Sequence, residues 1–479
     1  MKRFVEGVAR DQSTMFPEHL DDWIAEDNPV RAVDVFVDGL DLFEMGFAGV
    51  DPKMTGRPAY HPAVLLKLYI YGYLNSIQSS RRLEREAGRN VEAMWLTGRL
   101  APDHKTIADF RRDNGPAIRK TCARFVDLCR QVGLLKKASV AIDGSKFKAV
   151  NNRDRNVTAA KMQRRLKQID ESVARYLQQL DSADRQDPTD AIAMRKTRLN
   201  EKLAKLREEM ERLKALEKQR LESEDGQISL TDPDARSMAT SGRGSGVVGY
   251  NVQAAVDTEN HLIVAHDVVT TGSDREQLSR MSKAAKTALR VEKIDVVADR
   301  GYFSGEEIRA SHEAGAIVTV PKVQTSGSSA AGRFAKADFR YLPEDDVSIC
   351  PANQRLIRRT KSVENGMTLH KYLTVACQRC PIKDQCTTAK ERRISRWEHE
   401  HLVDAVQQRL DENPNAMRQR RETVEHPFGT IKARMGATHF LMKRLKNVKT
   451  ETALSVLAYN LTRAMNILGV DKLTAAMRA

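Results

Sequence analysis

The sequence has 479 residues, which is enough for two or three domains with a sizeable core. Its 79 Lys and Arg residues against 64 Asp and Glu residues give a net charge of +15, which favours a polyanionic partner and argues against an acidic surface function. No stretch approaches the roughly 20 apolar residues that cross a bilayer, and the first residues lack the apolar core of a signal peptide, so we expect a cytoplasmic protein with no membrane partner. Nucleic acid is the first candidate partner.

Residues 1 to 135 are predicted to form an all-helical domain. Pro62 opens a segment that is apolar on nearly every side, as is typical of a buried helix. Shorter helices are predicted from Ser79 and from Asp103, and both carry arginines on an outer face. This arrangement is typical of a helix-turn-helix-like DNA reader, but a helical bundle with a charged surface would explain it equally well.

The run Ser139-Val-Ala-Ile-Asp143-Gly-Ser predicts a buried strand that ends at Asp143. The last residue of such a strand projects from the edge of the sheet, which is a suitable position for a reactive carboxylate. Asp-Gly is also a common turn signal, so this stretch alone favours a strand-ending turn residue.

Residues 158 to 225 are predicted to form an inserted helical coiled-coil hairpin. Apolar residues recur at steps of four and three on both sides of a turn that ends at Pro188, which is the heptad pattern of an antiparallel coiled coil. We expect an arm, a DNA clamp or a dimer contact.

Strands resume after the hairpin. Residues 249 to 257 and 262 to 269 alternate around a turn and predict an antiparallel pair. Ser273 and Glu276 have capping-box spacing, so Asp274 is interpreted as a first-turn helix residue in preference to a ligand. Residues 294 to 299 then repeat the design of the first strand and end in Asp299, and a further strand is predicted at residues 316 to 321.

Residues 323 to 411 form a basic, cysteine-rich insertion. Six cysteines in so long a chain do not indicate a disulfide framework. Four thiolates satisfy a closed, tetrahedral structural zinc site, but only one pair has the regular two-residue spacing, so four reduced cysteines without Zn²⁺ are an equal alternative. The four cysteines in question are Cys350, Cys377, Cys380 and Cys386.

A late helix is predicted to begin near Asn415. It carries Arg418, Arg421, Glu425 and Lys432, and offsets of four and eleven residues from Arg421 return close to one helix face. A surface ion pair between Arg421 and Glu425 is the alternative interpretation of this pattern.

The order of these elements resembles the RNase-H-like core of DDE transposases, in which the first acid lies on the first strand, the second on the fourth and the third on a late helix. Arg421-x-x-x-Glu425-x-x-x-x-x-x-Lys432 is similar to the Tyr-Arg-Glu-Lys signature of many bacterial insertion-sequence transposases, with Arg418 in place of the tyrosine. Asp299-Arg-Gly-Tyr302 resembles the usual context of the second acid. Gly56-Arg-Pro-Ala-Tyr-His61 resembles part of the N-terminal domain of the same family.

The resemblance implies an α/β fold in which an RNase-H-like mixed sheet is flanked by helices. It implies that Asp143, Asp299 and Glu425 are catalytic and hold Mg²⁺ or Mn²⁺, while Arg421, Lys432 and Arg418 contact DNA phosphates. Three converging carboxylates repel one another unless divalent cations neutralise them, and such ions suit oxygen ligands. The expected reaction is metal-dependent phosphodiester hydrolysis followed by strand transfer.

The expected organisation is a DNA-binding domain at residues 1–135, a catalytic domain at 136–157, 226–322 and 412–479, the coiled-coil hairpin at 158–225 and the insertion at 323–411. Double-stranded DNA, as element ends and target, is the expected partner of a homodimer or higher complex, which would associate with the nucleoid when bound. A metal-dependent nuclease of the same fold and a catalytically inactive DNA-binding relative remain open as alternatives.

Overall fold

The computed structural model describes residues 19–51, 58–150, 156–185, 189–222, 226–239, 246–323 and 327–478. Gly56 and Arg57, residues 186–188 of the predicted hairpin turn, and the first residues of the chain lie outside these ranges. Within them, no helix is both long enough and apolar enough to cross a membrane.

The first part of the chain is helical, as predicted. Pro62 begins the second helix, whose Tyr69 and Tyr73 are fully buried, and Asp103 caps the fifth by accepting hydrogen bonds from two backbone N–H groups. Helix by helix, the bounds are α1 (Pro29–Asp38), α2 (Pro62–Leu74), α3 (Ser80–Ala87), α4 (Val91–Thr97), α5 (His104–Asp113) and α6 (Gly115–Gln131).

The middle of the chain alternates between strands and helices. Its elements are, in chain order, β1 (Ser139–Lys148), β2 (Asn156–Val157), α7 (Ala159–Asp184), α8 (Asp190–Glu222), β3 (Ile228–Ser229), β4 (Arg236–Met238), β5 (Val247–Asp257), β6 (Ile263–Val269), α9 (Leu278–Leu289), β7 (Ile294–Ala298), α10 (Gly305–Glu313) and β8 (Ala316–Thr319).

The main sheet is mixed and is centred on β1. β5 pairs antiparallel with one side of β1 and β7 pairs parallel with the other; β6 and β4 extend the sheet beyond β5, and β8 pairs parallel with β7. Val140, Ala141 and Ile142 are fully buried, because helices cover both faces of the sheet at this point. This order, with helices on both faces, confirms the predicted RNase-H-like core.

The helical hairpin projects from the main sheet. α7 and α8 pack along each other, and an ion pair of 2.9 Å joins Arg165 of the first helix to Glu209 of the second. The buried Met162, Ile169 and Leu199 supply the apolar contacts between the two helices. At the base of the hairpin, β2 and β3 form a short antiparallel pair.

The cysteine-rich insertion contains a second, antiparallel sheet that the sequence did not predict. Its strand order is β13-β12-β11-β10-β9, and a small core of its own includes Phe339, Leu356 and Tyr372. The elements are α11 (Gly327–Ala330), β9 (Arg340–Leu342), β10 (Val347–Ile349), β11 (Arg355–Glu364), β12 (Met367–Leu373) and β13 (Ile394–Trp397).

The last part of the chain returns to the main sheet. Asn460, on the longest of its helices, donates to the backbone carbonyl of Ile263 and accepts from its N–H, at 2.8 and 2.9 Å. The same helix packs against α2 and α6, so the N-terminal helices and the main sheet share one core. The elements are α12 (Glu400–Glu412), α13 (Ala416–Gly429), a π-helical turn (Thr430–Arg434), α14 (Leu445–Leu468) and α15 (Val470–Arg478).

Candidate active site at the edge of the main sheet

Asp143 lies where β1 and β7 separate, and the gap between these two strands is called the opening of the main sheet. Contrary to the sequence prediction, β1 does not end there, because its pairing with β5 continues to Lys148. Its parallel pairing with β7 stops one residue earlier, at Ile142. Asp143 is therefore the first residue of β1 without a partner on that side.

Burial raises the pKa of Asp143 to about 6, against the opposing effect of Arg420 and of a hydrogen bond from the Gly144 backbone N–H. The neighbouring carboxylates of Asp299 and Asp274 act in the same direction as burial. Asp143 is thus a partly desolvated carboxylate in a cluster of like charges.

Asp299 follows directly after β7, as predicted, and caps a short 3₁₀ turn, Arg300–Tyr302. Its Oδ1 accepts a hydrogen bond of 2.8 Å from the Gly301 backbone N–H, which fixes the side chain at the sheet edge. Its carboxylate remains about half exposed, with 45% of the side chain accessible. The two predicted aspartates therefore meet at one edge, because the carboxyl ends of parallel neighbouring strands coincide there.

One guanidinium group contacts both aspartates. Nη2 of Arg420, on α13, lies 2.5 Å from Oδ1 of Asp143 and 3.7 Å from Oδ2 of Asp299. The sequence pattern pointed to Arg421 and not to Arg420. A signal was present: Arg420 lies on the same helix stripe as the buried Val424, and a charged residue on an apolar stripe indicates a buried partner of opposite charge.

The other predicted residues of α13 lie on its outer side. Glu425 is exposed and, among the described residues, has no hydrogen-bond or ion-pair partner. It is five positions from Arg420, which corresponds to about 140° around the helix. Arg421 is also exposed, and Arg418 pairs with Glu422 at 3.0 Å on the surface. The structure therefore brings Asp143 and Asp299 together but does not bring Glu425 into contact with them.

Lys432 follows α13 in the π-helical turn and is directed at β1. Its Nζ donates to Oγ of Ser145 at 2.6 Å and to the carbonyl of Lys146 at 3.1 Å, and it lies 4.5 Å from the ring centroid of Phe147. Burial lowers the pKa of Lys432, against the nearby carboxylate of Asp143. Lys432 therefore fixes the end of α13 next to the strand that carries the first acid.

The sequence predicted Asp274 in the first turn of a helix, and this prediction is wrong. Helix α9 begins only at Leu278, and Asp274 belongs to the loop before it. Its Oδ1 accepts hydrogen bonds from Asn251 at 2.7 Å and from Gln253 at 2.6 Å, and both of these residues are fully buried on β5. The capping-box pattern was misleading because residues 274–277 form a turn, and the helix begins only after this turn.

The four cysteines of the insertion line one small cavity below the second sheet. Burial raises the pKa of Cys386, and the other three thiols act in the same direction against Arg392. Cys122 and Cys129, by contrast, are buried in α6 and are ordinary core residues.

Within the described ranges, no group of three or more His, Cys, Asp or Glu side chains has the spacing of a metal site. At the sheet edge, the Arg420 guanidinium lies where the carboxylates converge. The carboxylate oxygens of Asp143 and Asp299 nevertheless fit a divalent cation, because both carboxylates already share the positive charge of Arg420. The four thiols around one cavity are likewise the donor set that zinc prefers.

Two family models match separate parts of the chain. A transposase domain matches residues 18–113, and a transposase DDE domain matches residues 349–465. No curated protein matches the chain. A cryo-EM structure of the piggyBac transposase synaptic complex with hairpin DNA matches over 94% of this chain and 79% of that chain, at 8% identity and a TM-score of 0.33.

A mixed RNase-H-like sheet with aspartates converging at one edge, together with these two family matches, defines an enzyme of the DDE transposase class. The two models match residues 18–113 and 349–465, and together they support a DDE transposase of the insertion-sequence kind. These matches support a DNA transposase, and enzymes of this class act on DNA and depend on divalent metal ions.

Proposed function

We propose that Asp143, Asp299 and Glu425 are the catalytic acids of this transposase and hold Mg²⁺ or Mn²⁺. The observation that carries the proposal is the position of Arg420, whose single guanidinium lies within 4 Å of both aspartates. Carboxylates from two strands that share one cation form a site built to bind positive charge. The third ligand is assigned to Glu425 because its exposed carboxylate has no described partner and lies on the same helix as Arg420.

Bound divalent ions supply activation of a water or a DNA 3′-hydroxyl and stabilisation of the departing oxygen. The protein contributes the placement of the acids. The backbone of Gly144 and the turn after Asp299 hold the two aspartate side chains in position before any ion arrives. Because Arg420 contacts both carboxylates, it would compete with divalent ions for them.

Hydrolysis and strand transfer are one reaction with two nucleophiles, so the same acids serve both steps. A metal-dependent nuclease of the same fold would carry out only the first step, and an inactive DNA-binding relative neither. The family matches to two transposase domains favour the complete reaction.

Arg418, Arg421 and Lys432 are proposed to contact the DNA phosphates. The first two are exposed on α13, the helix whose Arg420 contacts Asp143 and Asp299. Lys432 can reach a phosphate only by giving up its hydrogen bond to Ser145. The second sheet carries further exposed basic side chains on β11, namely Arg358, Arg359 and Lys361, which suit a phosphate backbone.

We further propose that residues 1–135 bind the element ends and that residues 136–157, 226–322 and 412–479 form the catalytic domain. The coiled-coil hairpin at 158–225 would join two copies in a homodimer or higher complex, or clamp DNA. The insertion at 323–411 would be stabilised by Zn²⁺ at Cys350, Cys377, Cys380 and Cys386, since closed sets of four thiolates bind zinc structurally.

The experiment is an assay of cleavage and joining on DNA that carries the element's own ends, with a separate target DNA and Mg²⁺. Joined donor–target products from the intact protein are expected, and their absence while cleavage persists would show a nuclease. Asp143→Asn and Asp299→Asn keep the shape of each side chain and remove its charge. Both should abolish cleavage and joining while DNA binding, measured in parallel, is retained; activity in either variant would contradict the assignment.

A further inference from the structure

A further carboxylate lies beside the proposed site, held by buried groups. Asp274 is brought there by the loop before α9, and its Oδ1 accepts hydrogen bonds from Asn251 and Gln253. The hydroxyl of Tyr302, three residues after Asp299, donates in turn to Oε1 of Gln253. Asp274 is therefore connected through β5 to the turn that carries the second acid.

Gly144 separates this carboxylate from β1. A Cβ atom at Gly144 would lie 2.5 Å from Oδ1 of Asp274 and 2.4 Å from Nε2 of Gln253, closer than real Cβ contacts allow. Only glycine at this position, immediately after Asp143, lets the Asp274 carboxylate approach the strand. The sequence Asp143-Gly144 is thus a requirement of the site and not merely a turn signal.

The side-chain oxygen of Asn251 lies beside Gly144, near the Asp274 carboxylate. Asn251 is fully buried, and its Nδ2 donates to Asp274 and, at 3.3 Å, to the carbonyl of Thr271. These two bonds fix the orientation of the amide, so its Oδ1 is directed toward Gly144, at 2.9 Å from where a Cβ would lie. Among the described residues this buried Oδ1 has no hydrogen-bond partner. A buried acceptor that lacks a donor is costly unless a cation or water satisfies it.

The buried hydroxyl of Tyr302 lies near the same acids. It is fully buried, and Asp274, Asp143 and Asp299 each act together with burial to hold its pKa far above the usual value. Asp274 is the largest of the three charge effects on this hydroxyl. The hydrogen bonds, and not this pKa, connect the residues: Tyr302 donates to Gln253, and Gln253 donates to Asp274.

We propose that Asp274 is an additional carboxylate ligand of the divalent-metal site, with the carbonyl oxygen of Asn251 directed at the same ion or at a water bound to it. This inference rests on the proposed function, because it assigns Asp274 to the ion that Asp143 and Asp299 hold. Carboxylate and amide oxygens are the donors that Mg²⁺ and Mn²⁺ accept. The bonds from Asn251 and Gln253 orient Asp274 through Oδ1, and among the described residues its Oδ2 has no hydrogen-bond partner.

The test is Mn²⁺ binding to the full chain without DNA, measured by isothermal titration calorimetry and by the Mn²⁺ electron paramagnetic resonance signal. Asp274→Asn retains an acceptor for Asn251 and Gln253 but loses the charge, so a merely structural role would survive it. We expect Mn²⁺ to bind about tenfold or more weakly to this variant. Glu276→Gln, an exposed acid two residues away, is the matched control and should bind as the intact protein does.

Asp143→Asn distinguishes a failure of the Asp274 assignment from a failure of the proposed metal site itself. If it weakens Mn²⁺ binding while Asp274→Asn does not, Asp274 is not a ligand and the proposed function stands without it. If neither variant changes the affinity, the metal site itself is wrongly placed and both assignments fail. An unchanged thermal unfolding midpoint of Asp274→Asn verifies that a loss of binding does not come from misfolding; a lowered midpoint with retained Mn²⁺ affinity would overturn the proposal.

Discussion

Arg420 and Asp143 form an ion pair of 2.5 Å at the open edge of the main sheet. The pair joins the helix that carries the proposed third acid to the strand that carries the first. Both side chains are largely enclosed, with 13% and 22% of their surface accessible, so the contact is less screened than a surface ion pair.

Arg420→Gln should destabilise the protein in the absence of divalent ions, because Asp143 and Asp299 then lose their shared positive charge. A cost of about 1–2 kcal/mol is expected, between the values for exposed and buried pairs. Mg²⁺ should restore the thermal unfolding midpoint of this variant more than it raises that of the intact protein. Arg421→Gln, at the exposed neighbouring position, is the control; equal responses of the two variants to Mg²⁺ would show that Arg420 does not occupy the position of the cation.

The main sheet could be predicted because its strands are short runs of Val, Ile and Ala bounded by turn residues. β7, which ends just before Asp299, is the clearest case. The second sheet could not be predicted in this way. Its longest strand, β11, is exposed along most of its length and carries charged residues on both faces, so it lacks the alternation that identifies a half-buried strand.

The site was predictable only in part. Asp143 and Asp299 could be found because each directly follows a short apolar run in the sequence, although β1 itself continues past Asp143. Arg420 differs from Arg421 only by one step around α13, and the orientation of that helix depends on its packing against β1. Asp274 reaches the site through hydrogen bonds from β5, more than 20 residues earlier in the chain, which no local pattern reports.

The contribution of the basic residues can be separated by the salt dependence of DNA binding. Arg418→Gln and Arg421→Gln should each reduce the slope of log Kd against log salt by about 1, because each removes one phosphate contact. Lys432→Met should change the slope less, since its ammonium is hydrogen-bonded to Ser145 and Lys146. Unchanged slopes in both arginine variants would mean that this side of α13 does not face DNA.

Zinc in the insertion can be tested by metal analysis of the purified chain. We expect about one zinc ion per chain, because four thiols around one cavity match a closed structural site. Cys380→Ser should lose the ion and lower the thermal unfolding midpoint. Cys122→Ala, in the core of α6, should keep the zinc; a protein without zinc, or equal zinc in the two variants, would contradict the site.

Deletion of residues 160 to 224 tests the role of the helical hairpin. The ends of the deleted segment are joined by the β2–β3 pair, so the main sheet should still form. We expect a smaller assembly by analytical ultracentrifugation in the presence of DNA ends, and a loss of joining. An unchanged assembly with full joining activity would rule out both the dimer contact and the clamp.

The central claim is that α13 supplies the third acid, and the most direct measurement compares Glu425→Gln with Glu422→Gln in Mg²⁺-dependent cleavage and joining of the element ends. Both residues are exposed acids on the same helix, but Glu422 pairs with Arg418 on the surface. Glu425→Gln should abolish both steps without weakening DNA binding, while Glu422→Gln stays active. If Glu425→Gln cleaves and joins DNA as the intact protein does, the third ligand lies elsewhere and the account of α13 is wrong.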